Sequence, residues 1–369
     1  MRIFVALLLA YVGVRLSTPF GMAGEAVAII ALGACYASLP KGWRIREDRG
    51  AWAELLPWLM VGVLSWLFVL TFARDLFLLF AAALLQGSGY EQWVRDSAIA
   101  VVAAVPLITA AGFFMARREA PVVKVDIPVR DLPAGLEGFT IAQISDIHVG
   151  PTIKRPFVEK IVDRVNRLGA DMVAITGDIV DGTVRELSHH TEPLARLDSR
   201  HGTYAVTGNH EYYSGAPEWI LELRRLGANV LLNEHVVIDH DGAALTLAGV
   251  TDYSAHHFDA AQRSDPALAL RGAPANGTKV LLAHQPRSAN AAASAGFDLQ
   301  LSGHTHGGQF WPWNLFVRLQ QPFTAGLNRL GQMWVYINRG TGYWGPPMRF
   351  GIPSEITHIR LVRANATES

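Results

Sequence analysis

Four apolar stretches crowd the first 117 residues: IFVALLLAYVGV, AVAIIALGACYASL, WLMVGVLSWLFVLTF and AIAVVAAVPLITAAGFFMA. With their flanks they reach about 17 to 25 residues each, the length at which a helix crosses the hydrocarbon of a bilayer. Such a chain cannot fold as one water-soluble globule, because backbone amides in lipid must be satisfied inside their own segment. Half of the 369 residues are hydrophobic, and the excess lies here. The first stretch alone resembles a secretory signal, but a cleaved signal is followed by soluble sequence rather than by more apolar segments, so it reads as a retained anchor. Residues 1–118 are therefore expected to form a helical anchor of about four helices, and residues 119–369 a separate domain.

Positive charge suggests an orientation. Arg2, then Lys41, Arg44, Arg46 and Arg49, then Arg117, Arg118 and Lys124 fall on one side of a four-helix count. The expectation is a multi-pass inner-membrane protein whose C-terminal domain faces the cytoplasm. The segment RDLFLLFAAALLQ is too short to span alone. It is interfacial, re-entrant or an extension of the third helix, and if it crosses, the orientation reverses. Trp43, Trp52, Trp58, Trp66 and Trp93 belong either to the headgroup level or to helix packing.

The single cysteine, Cys35, lies in an apolar stretch, so there is neither an internal disulfide nor a thiolate cluster, and any metal must be held by nitrogen and oxygen. Formal net charge is zero, and the C-terminal part has no Lys/Arg run, which argues against a nucleic-acid partner.

From about Val122 the pattern becomes short β-rich runs: FTIAQISDIH, MVAITGDI, TYAVTGNHE, NVLLNEHVVI, ALTLAGVTD, KVLLAHQP, LQLSGHTH, MWVYINRG and ITHIRLV. Between them lie helical patterns, one with Phe157, Ile161, Val162, Val165 and Leu168 on a face, another in APEWILELRRLG. This alternation indicates an α/β domain with some direct strand pairing. Several strands end in a residue able to bind a cation, and open α/β sheets gather their ligands at the carboxyl ends of strands. None of the 13 histidines precedes His148.

Asp146 and His148, two apart, would share a strand face and reach one ion. Asp178, in GDIVD, offers two oxygens and can bridge two cations about 3.5 to 4 Å apart. Asp181 orients a ligand or caps the following turn. In GNHE, Asn209 is a neutral oxygen ligand, and His210, titrating near neutrality, can protonate a leaving oxygen. His284 follows an apolar run, and His304 and His306 supply one imidazole to each of two ions. Gly303, Gly307 and Gly308 would leave room for the ions and a phosphate.

Each element is weak alone, but the ordered set DxH, GDxxD, GNHE, a lone His and GHTH resembles the calcineurin-like metallophosphoesterases over roughly residues 138 to 362. That resemblance implies an α/β/β/α sandwich. It assigns one ion to Asp146, His148, Asp178 and His306, the other to Asp178, Asn209, His284 and His304, and a catalytic role to His210. GHTHGGQ and NRGTGYWGPPMRFGIPSEI are similar to a membrane-anchored bacterial branch that includes relatives cleaving UDP-diacylglucosamine. A literal GxGxxG through Gly340, Gly342 and Gly345 is set aside, because Pro346 and Pro347 stand where a dinucleotide fold needs a helix. Arg339 and Arg349 either contact a substrate phosphate or are ordinary solvated or carboxylate-paired arginines.

The expected activity is metal-dependent hydrolysis of phosphoester or pyrophosphate bonds. Two divalent ions (Mn, Fe or Zn) would activate a bridging hydroxide, with Glu211 or Asp181 behind His210. An anchored domain meets amphiphilic substrates at high effective concentration, and Phe310, Trp311, Trp313, Leu315 and Phe316 would dip into lipid, line an acyl groove or pack a satellite core. The paired His189–His190 and His256–His257 are expected in solvated loops. The competing readings are a phosphodiesterase of soluble substrates, a non-catalytic membrane scaffold, and a transporter, the last weakened by the scarcity of ionisable residues beyond Arg74 and Asp75.

Overall fold

The computed structural model describes residues 2–39, 51–84 and 87–364. Trp43, Lys41, Arg44, Arg46 and Arg49 lie outside the described residues. The chain divides into two compact units, one of residues 1–117 with Gly345–Phe350, the other of Arg118–Trp344 with Gly351–Ser369.

In the first unit each apolar stretch lies on one helix: α1 (Arg2–Ser17), α2 (Gly21–Ser38), α3 (Ala51–Leu84) and α4 (Ser88–Arg117). Among the described residues, three stretches are long and apolar enough to cross a membrane, Ile3–Ser38, Trp52–Leu84 and Ser88–Arg117. The first of these is interrupted by a 3-10 turn at Thr18–Phe20, and α1 packs beside α2 with Gly13 against Leu32. The RDLFLLFAAAL run continues α3, whose 34 residues span about 51 Å at 1.5 Å per residue, more than a hydrocarbon core needs.

Ionisable groups among apolar helices are tolerated when paired. Asp75 accepts from Tyr11 Oη (2.7 Å) and Arg15 Nε (2.8 Å), while Arg74 donates to Ser97 Oγ (3.0 Å) and to the Val94 carbonyl (2.7 Å). This ties α1, α3 and α4 together. The six residues Gly345–Phe350 group with these helices rather than with the sequence around them. The reason is a notch left by two glycines: a Cβ on Gly62 or Gly112 would lie 2.5 Å from Met348. Trp66 Nε1 donates to Met348 Sδ (2.9 Å), the Trp66 and Phe350 rings meet edge to face at 5.3 Å, and the Arg349 amide donates to the Gly112 carbonyl (2.9 Å). Arg349 is fully buried.

The second unit runs β1 (Val122–Val129), β2 (Thr140–Ile144), α5 (Arg155–Asn166), β3 (Met172–Ile175), α6 (Val184–Thr191), β4 (Thr203–Ala205), α7 (Asn209–Ser214), α8 (Ala216–Arg225), β5 (Ala228–Val230), β6 (Glu234–His240), β7 (Ala243–Gly249), α9 (Pro266–Ala269), β8 (Thr278–Leu282), α10 (Ala289–Ala295), β9 (Leu299–Ser302), β10 (Gly326–Leu330), β11 (Met333–Ile337) and β12 (Ile356–Arg363). Two six-stranded sheets result, ordered β1-β12-β2-β3-β4-β5 and β10-β11-β9-β8-β7-β6.

Side-chain alternation explains the layers. Val280 and Leu282 of β8 join Leu245, Leu247, Leu299 and Leu301 in a core shared with Ile141, Met172, Ala174 and Ile359 of the other sheet. The intervening Leu281, with Ala283 just beyond the strand, packs outward on Ala269 of α9 and Ala289 and Ala292 of α10. The fold is the expected mixed α/β/β/α arrangement. Within it β2, β3 and β4 are parallel neighbours, as are β8 and β9, so their carboxyl ends align. Two sequence readings change. NVLLNEHVVI is split into β5 and β6, and His189 and His190 end helix α6 instead of lying in a loop.

Candidate metal centre

Beyond β2 and β3 the two chains stay zipped by backbone hydrogen bonds: Asp146 N to Gly177 O (3.0 Å), His148 N to Asp178 O (3.2 Å), Val149 N to Ile179 O (2.8 Å) and Asp181 N to Val149 O (2.8 Å). The ligand-bearing residues are thus held by main chain, before any side chain acts. Asp146, His148, Asp178, His304 and His306 all take positive φ, at 52°, 55°, 52°, 71° and 51°. The expectation that each i, i+2 pair converges by sharing a strand face is therefore corrected: the residues sit past the strand ends, and left-handed turns aim their side chains inward. A non-glycine residue in that region costs about 1–2 kcal/mol, which such sites retain only where surrounding structure enforces it.

The glycines act mainly behind the ligands. A Cβ on Gly208 would lie 2.2 Å from Asp178 Oδ1, and one on Gly303 would lie 2.1 Å from Asp146 Oδ2. Gly307 and Gly308, expected to leave open space, instead back onto Arg339 and Asn314.

Two clusters meet at Asp178. In the first, His306 Nε2 lies 3.3 Å from Asp146 Oδ1 and 3.0 Å from His148 Nε2, which is itself 3.9 Å from Asp178 Oδ2. In the second, His284 Nε2 lies 3.1 Å from Asp178 Oδ2 and 3.2 Å from His304 Nδ1. Asp146, His148 and His306, and likewise Asp178, His284 and His304, present ligand atoms within 4.8 Å of one another. Asn209 is buried, and its Oδ1 has no hydrogen-bond partner.

The tautomers show what the clusters suit. His284 Nδ1 donates to the Thr176 carbonyl (2.7 Å); burial opposes a second proton, but Asp178, 3.1 Å from Nε2, raises the imidazole well above its usual value, so in the metal-free protein Nε2 is protonated too and a bound cation would replace that proton. His148 Nδ1 lies 2.9 Å from Asp181 Oδ1, which turns its Nε2 towards the cluster. Imidazole nitrogens and carboxylate oxygens converging in a buried space need positive charge among them, carried by ring protons in the metal-free protein and by a cation when one is bound. Together with the orphaned Asn209 oxygen, the donor set fits divalent ions bound by nitrogen and oxygen.

Burial would raise the Asp178 carboxyl, but the neighbouring His284 and His210 charges hold it well below the usual carboxylate range. Burial, reinforced by His284, pushes His304 down to about 3, so its ring is neutral. Asp181 accepts from both His148 Nδ1 and His210 Nδ1 (2.5 Å) through one oxygen, which makes it an orienting group rather than a turn cap. Burial opposes protonation of His210, yet the charge of Asp178 and the hydrogen bond to Asp181 push it up to about 9. The His210 amide also donates to Asp178 Oδ1 (2.9 Å).

Glu211 does not stand behind the imidazoles. It accepts the amides of Gly208 (2.7 Å), Asp178 (3.0 Å), Ile179 (2.7 Å) and Val180 (3.3 Å), stapling two loops. Arg339 Nε donates to Glu355 Oε2 (2.6 Å), which fixes the guanidinium with its side chain 30% exposed, while Arg349 groups with the helical unit. The structure also shows two supports of Asp146 that the sequence reading did not assign to it, Ser145 and the Gly340–Gly342 stretch. Ser145 Oγ donates to Asp146 Oδ2 (2.5 Å), and the Gly342 amide donates to the Asp146 carbonyl (3.1 Å).

Residues 139–308 match the calcineurin-like phosphoesterase family. A Danio rerio transmembrane protein with metallophosphoesterase domain is 36% identical over 325 residues, covering 85% of this chain and 74% of that one. The Bos taurus protein of the same name is 39% identical over 270 residues, covering 70% and 61%. An uncharacterized metallophosphoesterase of Helicobacter pylori J99 is 42% identical over 228 residues, covering 61% and 60%. The chain thus spans less than two thirds of the length of the last two.

Proposed function

The chain belongs to the calcineurin-like metallophosphoesterases, and from that premise we propose that it is a membrane-anchored, two-metal hydrolase of phosphoester or pyrophosphate bonds in a lipid-linked substrate, UDP-diacylglucosamine being one example. The observation that carries the two-metal reading is Asp178, whose carboxylate lies 3.1 Å from His284 and 3.9 Å from His148, between the two clusters. Asp146, His148, Asp178 and His306 would hold one divalent ion, and Asp178, Asn209, His284 and His304 the other, with Mn, Fe and Zn all suited to the donor set. When bound, the ions supply Lewis acidity and a water acidic enough to serve as nucleophile near neutral pH.

The chain's own residues supply the rest. His210 holds a proton on a ring fixed through Nδ1 by Asp181, which orients the ring to address a leaving oxygen through Nε2. Asp181 orients His148 and His210 together. Arg339, anchored by Glu355 with its side chain 30% exposed, is assigned to a substrate phosphate, whereas the buried Arg349 is not. The lipid-linked assignment is supported by the three membrane-length apolar stretches among the described residues and by the exposed Trp311, Trp313, Leu315 and Phe316. A cytoplasm-facing domain in the inner membrane is supported by Arg117 at the end of α4 and by Arg118 and Lys124 beyond it.

The test uses full-length protein in detergent, stripped of metal and reloaded with Mn, Fe or Zn. Turnover of UDP-diacylglucosamine is compared with that of bis(p-nitrophenyl) phosphate, for wild type and Asp178→Asn. Metal-dependent turnover of the lipid, lost in the variant, is expected. Activity indifferent to metal removal refutes the hydrolase, and turnover of the soluble diester alone refutes the lipid substrate.

A further inference from the structure

The ring of His210 is bordered by other rings. Tyr213 meets it edge-on at 5.2 Å and 66°, and Trp344 at 6.1 Å and 79°. Phe258 extends the border, 5.6 Å from Tyr213. Tyr213, Phe258 and Trp344 are 63%, 53% and 44% exposed, so about half of each residue's surface remains open to solvent. Their backbones are held. Gln309 brackets Trp344 with two 2.8 Å hydrogen bonds, one to its carbonyl and one from its amide. Phe258 leans on the buried Tyr212 ring at 5.7 Å, and Tyr212 Oη donates to Gln262 (2.6 Å).

We infer that Tyr213, Phe258 and Trp344 form a subsite for a planar ring, aromatic or heteroaromatic, carried on the leaving-group side of the substrate. The inference rests on the reading that His210 addresses the leaving oxygen, since whatever is bonded to that oxygen must then pass these rings. An acyl chain laid on half-open rings would keep much of its surface wet. A flat ring covers a whole face in one contact and gains the additional attraction of ring pairs. The rings therefore discriminate by shape, without the enclosure a lipid tail needs.

Isothermal titration of the full-length, Mn-loaded protein in detergent with AMP and with ribose 5-phosphate separates the ring from the phosphate. AMP is expected to bind about tenfold more tightly. Tyr213→Ala combined with Phe258→Ala should erase that preference and leave ribose 5-phosphate binding unchanged, and Tyr213→Trp should retain it. Equal affinity of the two ligands for wild type, or a preference that survives the double variant, overturns the subsite while leaving the hydrolase reading intact. Failure of both ligands to bind the metal-loaded protein overturns the subsite together with the docking of phosphate on which it rests.

Discussion

Replacing Asp181 with asparagine removes one charge from behind the site at almost constant volume. One Asp181 oxygen lies 2.9 Å from His148 Nδ1 and 2.5 Å from His210 Nδ1, so a single change loosens a metal ligand and the proposed proton donor together. Burial alone would raise this carboxyl, but the charge of His148 and hydrogen bonds from both rings bring it from 3.8 to about 2. A shift of that size corresponds to roughly 2–3 kcal/mol of folding stability in the metal-free protein. The folded value is depressed, so the contribution is complete above the ordinary carboxylate value and fades as pH falls from about 4 towards 2. For metal binding, loss of an orienting carboxylate lowers affinity about 10- to 100-fold. Mn titration by calorimetry and thermal unfolding of the metal-free protein at several pH values, followed by circular dichroism, measure both effects. Asp181→Asn protein that binds Mn as tightly as wild type, with a stability gap that does not narrow below pH 4, would refute the orienting role.

Three further outcomes are expected. Gly303→Ala drives a methyl group against Asp146 and Ser145, and should lower the bound metal, read by elemental analysis, at the cluster of Asp146, His148 and His306. Glu211→Ala leaves four backbone amides without their acceptor, at about 1–3 kcal/mol each where they stay buried, so the purified protein should unfold well below wild type in a thermal melt. An unchanged melting temperature would remove Glu211 from the scaffold. Met348→Ala empties the notch between Gly62 and Gly112, and about 2–5 kcal/mol of helical-unit stability should be lost, measured as a lower unfolding temperature in detergent.

The sequence by itself determined the division into an apolar helical part and an α/β part, and the identity of the residues at the strand tips. Both are local properties: hydropathy over a helix length, and the polar residue ending an apolar run, can be read within a window. Tertiary structure alone decided how those residues meet. Nothing in the letters of Asp146, His148, Asp178, His304 or His306 announces a left-handed backbone, because it is imposed by loops zipped to chains 30 or more residues away. Asp181 read as a turn cap or an orienting group until His148 and His210 were seen to share its oxygen, and Glu211 read as one of two candidates to stand behind His210 until four amides claimed it. Gly345–Phe350 looked like part of the catalytic sequence, yet its place is set by a gap between two helices that no single window contains. Composition and short spacing record what a residue can do, whereas which partner it finds depends on contacts between segments distant in the chain.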